Sequence, residues 1–192
     1  QPTRAYRFRV AQAGFLREKV MENELNIIYE DNHIIVVLKP QMLACCPDES
    51  GDKNLLDMIK EYLKVTYNKP GNAYVGLVHR LDRPTGGVMV FAKTSKAAAR
   101  LSDQMKNGGF EKRYFAVLNG VPQKNTATLE NYLRKNSVNN MVYVCTPSEE
   151  GAKRALLSYE IKGAAAGLSL AEINLHTGRT HQIRVQTAAI NC

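Results

Sequence analysis

His79-Arg80-Leu81-Asp82-Arg83-Pro84-Thr85-Gly86-Gly87 is the stretch on which the fold and the chemistry turn. One apolar run precedes it, Tyr74-Val75-Gly76-Leu77-Val78, and another follows, Val88-Met89-Val90-Phe91-Ala92. Core strands rarely carry four ionisable groups in the five positions 79–83, because an unpaired charge is costly to bury. Pro84, Gly86 and Gly87 instead mark a turn between two strands, and loops on a rigid scaffold are where reactive groups sit. The arginines on either side of Asp82 favour its ionised, nucleophilic form. Alone, a carboxylate ahead of Pro84 is read at least as well as a turn cap, so its role depends on what else the chain carries.

The chain has 192 residues, 44% hydrophobic and 23% charged, a balance ordinary for a globular protein with one good-sized core. No apolar run reaches the roughly 20 residues of a membrane span, so no membrane is expected. The formal charge is +8, which suggests a polyanionic partner, nucleic acid first. Cys45 and Cys46 are adjacent, Cys145 is isolated and Cys192 ends the sequence. Without paired Cys-x-x-Cys spacing, no metal site is expected, and reduced thiols in the cytoplasm are the simplest reading. Residues 1–24 read as a basic leader or extension, with Arg4, Arg7, Arg9, Arg17 and Lys19 in their first twenty positions. The apolar centre of a secretory signal is missing from them.

Residues 25–30 and 33–38 read as strands about an Asp31-Asn32 turn. From Asp52, Leu55, Met58, Ile59, Tyr62 and Leu63 recur at helical spacing. A second helix follows a Thr94 or Ser95 cap and stops at Asn107-Gly108-Gly109. Further strands are expected over 112–118, 127–133, 141–145, 155–161 and 168–175, and a last helix from His181 capped by Thr180. Strands outnumber helices and do not alternate with them, which predicts an α+β fold with a largely antiparallel, mixed sheet flanked by helices.

Three segments carry a resemblance: His79-Arg80-Leu81-Asp82 with Thr85-x-Gly87, Arg113-Tyr114 leading a strand, and Gly178-Arg179-Thr180-His181-Gln182-Ile183-Arg184. In this order they resemble the RluA/RluD-type pseudouridine synthases, which isomerise uridine in ribosomal or transfer RNA. The resemblance spans roughly 25–185, including Val36-Val37-Leu38-Lys39-Pro40. It implies that fold for a catalytic domain over 25–192, acting on RNA without metal or cofactor, and a monomer is expected. It also implies roles. Asp82 is the catalytic nucleophile, Tyr114 stacks on the target base, and Arg184 pairs with the Asp82 carboxylate. Arg80 helps displace the flipped nucleotide, Ile183 forms part of an apolar floor, and Arg83, Arg113 and Arg179 contact RNA. His79 and His181 are expected to make structural hydrogen bonds.

The chemistry suits these residue types. The base must leave the stack, detach, rotate and reattach, and base–aromatic stacking of about 1–3 kcal/mol offsets part of the unstacking cost. One ionised carboxylate can add to C6 of uracil, attack C1′ of the ribose, or abstract a proton toward a glycal, and the sequence leaves all three open. A protein-kinase loop is excluded, because Leu81 intervenes between His-Arg and Asp and no Asp-Phe-Gly follows. Two departures from the family stand out. Thr85-Gly86-Gly87 replaces its common Thr-Ser-Gly, and the sequence stops at Cys192, where relatives continue. A truncated domain is therefore expected, with a non-catalytic RNA-binding protein or inactive fragment as the alternative.

Overall fold

Residues 25–137 and 139–192 are described by the computed structural model of the chain. The expected basic leader, 1–24, lies outside the described residues. The first sheet contains β1 (Asn26–Glu30), β2 (Ile34–Lys39), β3 (Gly76–Leu77) and β4 (Gly87–Ala92), in the order β1-β2-β4-β3. The second contains β5 (Arg113–Asn119), β6 (Thr126–Lys135), β7 (Val142–Cys145), β8 (Lys153–Ala165) and β9 (Leu168–Leu175), in the order β5-β9-β8-β6-β7. Every strand pair is antiparallel, and the expected α+β class holds, although the strands divide into two sheets rather than one.

Period-two alternation builds the first core. Ile35 and Val37 of β2 face the same way as their partners Phe91 and Met89 of β4, and all four are fully buried. Helix α1 (Leu55–Thr66) covers them with Leu55, Ile59 and Leu63, which recur every four residues along one stripe. Each such side chain contributes about 1.5–3 kcal/mol by leaving water. The helix begins later than Asp52 because Asn54 caps it, its side chain accepting from the Asp57 amide at 3.1 Å. Helix α2 (Ser95–Lys106) is capped by Thr94, one of the two expected residues. It lies so close to β3 that a Cβ on Gly76 would fall 3.0 Å from the Ala98 side chain.

The β1–β2 turn is locked from outside. Lys93, just after β4, donates to Glu30 at 2.5 Å and to the Asp31 carbonyl at 2.6 Å, while Tyr62 and Tyr67 of the α1 end also donate to Glu30. Burial alone would raise the Glu30 pKa, but the hydrogen bonds from Lys93, Tyr67 and Tyr62 hold it below its ordinary value.

The second core joins Leu118, Leu157, Tyr159, Ala171 and Ile173 of the larger sheet to Ile183 and Ile190. Helix α3 (Gln182–Ala188) is only seven residues long, too short to persist without tertiary support. Two buried glutamines supply that support. Gln182 accepts from the Thr177 hydroxyl and the Arg179 amide and donates to the Leu156 carbonyl. It also donates to Gln186, which in turn donates to the Leu129 carbonyl at 3.1 Å and the Asn131 side chain at 2.8 Å. Thr180 is not the cap. His181 occupies that position in a left-handed conformation (φ 50°) and makes no capping hydrogen bond.

Two outcomes follow. Glu30 stabilises the fold above its ordinary pKa of 4.5, and that contribution is lost as pH falls through its lower folded value. Urea unfolding of Lys93→Met should show a loss of about 2–3 kcal/mol at pH 7, with a smaller further loss on acidification than in the parent. Gln186→Leu leaves the Gln182 amide and the Asn131 side chain short of partners, so it should cost about 2–4 kcal/mol despite adding apolar surface. Thermal unfolding reads this directly.

Candidate active site

The loop carrying Asp82 is held from beneath. Lys39, at the end of β2, is 1% exposed. Its ammonium donates to the Pro40 carbonyl at 2.9 Å and the Arg83 carbonyl at 3.1 Å. Burial pushes its pKa down, while the charge of Asp82 opposes that shift. Cys45 lies beside it. Its thiol donates to the Leu81 carbonyl at 3.0 Å, its sulfur accepts from the Leu81 amide at 3.3 Å, and burial raises its pKa. The Thr85 amide closes the turn onto the Asp82 carbonyl at 2.9 Å. Gly87 leaves the turn at φ 151°, a conformation that favours glycine.

The cleft beside Asp82 has a volume of about 750 Å³ and is lined from both sheets. Asp82, Tyr114, Arg80, Arg83, Arg179, Ile183 and Arg184 all line it, so seven of the eight sequence-predicted residues converge on one cavity, and Arg113 is outside its lining. Tyr114 is half-buried at the start of β5, and its phenol pKa is raised by burial and then by the Asp82 charge. Ile183 is half-buried between the cleft and the second core.

Three of the expected residues make other contacts in the structure. Arg184 makes no ion pair with Asp82; the carboxylate partner is His181, whose Nδ1 lies 2.8 Å from Asp82 Oδ2. The reason is the left-handed start of α3. It releases His181 from capping and points its ring at the loop, while Arg184 projects one turn further along the helix, exposed. Arg83 lines the cleft, but its guanidinium is taken by Asp52 at 2.8 Å, Asp48 at 3.1 Å and the Ser50 hydroxyl at 2.8 Å. It ties the 48–52 loop to the Asp82 loop. Arg113 projects from β5 away from Tyr114 and pairs with Glu111 at 3.2 Å.

His79 makes a structural hydrogen bond, as expected: its Nε2 accepts from the Val90 amide at 3.1 Å, and burial lowers its pKa. Lys39, Cys45, Gln182 and Gln186 were not singled out from the sequence as parts of the site. A lysine inside Val36-Val37-Leu38-Lys39-Pro40 is the one legible signal among them, since a charge in an apolar strand demands a partner. Among the described residues, no three His, Cys, Asp or Glu side chains cluster as metal ligands would. No helix among them is long and apolar enough to cross a membrane.

The sequence profile of the RNA pseudouridylate synthase family matches residues 33–189. The chain is 33% identical over 168 residues to ribosomal large subunit pseudouridine synthase D of Zymomonas mobilis, covering 86% of this chain and 52% of that one. It is 35% identical over 161 residues to ribosomal large subunit pseudouridine synthase C of Salmonella typhi, covering 84% and 48%. It thus spans about half the length of the curated relatives it matches. Among solved structures, human RNA pseudouridylate synthase domain containing 4 shares the fold with a TM-score of 0.73 at 22% identity, over 87% of this chain and 65% of that one. Human RNA pseudouridylate synthase domain containing 1 has a TM-score of 0.66 at 26% identity, over 91% and 69%. The Asp82 loop, the strand led by Tyr114 and the helix behind His181 all fall inside the matched span, and the chain belongs to the RNA pseudouridylate synthase family.

Proposed function

We propose that the chain isomerises uridine to pseudouridine within RNA, using Asp82 as its nucleophile. The observation that supports this best is one carboxylate held by His181 in a cleft it shares with Tyr114 and several cations. The reaction breaks the N1–C1′ bond and forms a C5–C1′ bond, while C5 loses a proton and N1 gains one. The electron count does not change, so neither an oxidant nor a reductant is consumed.

Asp82 Oδ2 is occupied by His181, and among the described residues no group bonds Oδ1, which remains for the substrate. The carboxylate then adds to C6, attacks C1′ or takes a proton, and each route needs the same fixed oxygen. Tyr114 supplies a flat face for the extruded base. Ile183 borders the same space with apolar surface. Arg80, Arg179 and Arg184 line the cleft and attract the phosphates on either side of the uridine. His181 is a positioning residue, setting the Asp82 rotamer through one hydrogen bond. The matched bacterial relatives are named for the ribosomal large subunit, which favours ribosomal RNA as substrate and the cytoplasm as the place of reaction.

Incubation with total RNA followed by pseudouridine mapping tests the assignment. The parent chain should produce new pseudouridines, and Asp82→Asn should reduce the rate at least about a thousandfold while still binding RNA. His181→Ala should lower kcat by up to about a hundredfold with RNA affinity within about twofold of the parent, because only the geometry of the carboxylate changes. RNA binding by the parent with no product would leave a binding protein instead. Parental turnover in Asp82→Asn would remove the nucleophile.

A further inference from the structure

A second hollow, of about 440 Å³, lies on the other side of His181 and Arg184. Asn140, Met141 and Val142 wall it from the β6–β7 turn, and Val185 and Ala188 wall it from α3. Positions 181, 184, 185 and 188 share one face of the helix, so a single helix face lines it from end to end. His181 and Arg184 also line the Asp82 cleft, which makes the two spaces neighbours across one two-residue partition.

We propose that this hollow is a subsite for the nucleotide next to the reacting uridine in the same RNA strand. The inference rests on the reading of the Asp82 cleft as a uridine site. Its own support is continuity, shape and charge. The two spaces share His181 and Arg184, so a strand with its uridine in the cleft has this hollow directly across the partition. Its volume lies within the 300–1,000 Å³ typical of small-ligand sites. Met141, Val142, Val185 and Ala188 offer apolar surface to the faces of a base, and the Asn140 amide offers a donor and an acceptor to its edge. Among the described residues no carboxylate lines it and Arg184 has no ion-pair partner. A backbone phosphate therefore meets an unneutralised cation at the partition.

The subsite has a physical purpose. Turning one base out of a strand deprives both of its neighbours of a stacking partner. A surface that covers one of them returns part of that cost and also reads the base at that position. Single-stranded RNA is commonly recognised in this way, by bases splayed onto apolar or aromatic surfaces with their edges hydrogen-bonded.

Fluorescence anisotropy with labelled single-stranded RNA heptamers carrying a central uridine provides the test. An abasic nucleotide is placed at either neighbour of the uridine in turn. At one neighbouring position, loss of the base should weaken binding to the parent protein about 5- to 10-fold. Ala188→Trp fills the hollow and should bring the intact heptamer down to the affinity of the abasic one. Met141→Ala sits on an exposed turn and should shrink the same difference, whether or not the tryptophan is tolerated by the fold. The proposal is overturned if neither neighbour matters to the parent, if both variants keep the parental discrimination, or if the parent does not bind the heptamers. Pseudouridine mapping on total RNA separates the two claims. Product without a neighbour effect removes only the subsite, and a neighbour effect without product removes only the catalytic reading.

Discussion

The hydrogen bond between Asp82 and His181 joins residues 99 positions apart and is the contact on which the arrangement of the site depends. Asp82 rides on the loop into β4 of the first sheet, whereas His181 begins the helix packed on the second. The bond exists only if both carriers are fixed. His181 holds a left-handed backbone that costs a non-glycine residue on the order of 1 kcal/mol or more. A seven-residue helix does not impose that conformation by itself. The Thr177–Gln182–Gln186–Asn131 chain of hydrogen bonds does, because each buried amide would lose its partners if the helix rotated. Among the described residues no buried side-chain polar atom lacks a partner, so the network is closed and its cost of desolvation is met.

The other carrier is fixed by a buried charge. An ammonium in an apolar strand is unfavourable unless its donors are satisfied, and Lys39 finds the carbonyls of Pro40 and Arg83. Those bonds hold the floor of the Asp82 turn. Cys45 grips Leu81 through both its amide and its carbonyl, and Arg83 draws in the 48–52 loop by way of two carboxylates. The loop is thus fastened on both sides of Asp82 while the Asp82 side chain itself stays at the cleft.

Local pattern was enough to read most elements and the convergence of the signature residues. β9 and the Thr94 cap lie where alternation and capping chemistry put them, because each is decided by neighbours in sequence. The Asp82 loop was legible since charges, proline and glycines together admit few other structures. The partner of Asp82 was not. Whether His181 or Arg184 reaches the carboxylate depends on where α3 starts, and that is set by buried glutamines contacting β6 and β8 far away in sequence. Thr180 looked a better cap than His181 for the same reason: capping preference is local, and tertiary hydrogen bonds overrode it. The role of Arg83 was hidden likewise, since a sequence shows a cation beside a carboxylate but not the two aspartates that claim it first.

The charges are distributed unevenly between ion pairs and the cleft. Much of the acidic complement is engaged elsewhere: Glu30 by Lys93, Glu130 by Arg154, Glu149 by Arg134, and Glu160 with Glu172 by Lys162. Among the described residues two carboxylates line the cleft. Asp48 is held by Arg83 and Asp82 by His181. Arg80, Lys112, Arg179 and Arg184 line the same cleft without an ion pair among the described residues. Net charge alone would draw RNA to any face of the protein. These four cations surround the Asp82 carboxylate and offset the repulsion its charge would exert on a polyanion entering the cleft.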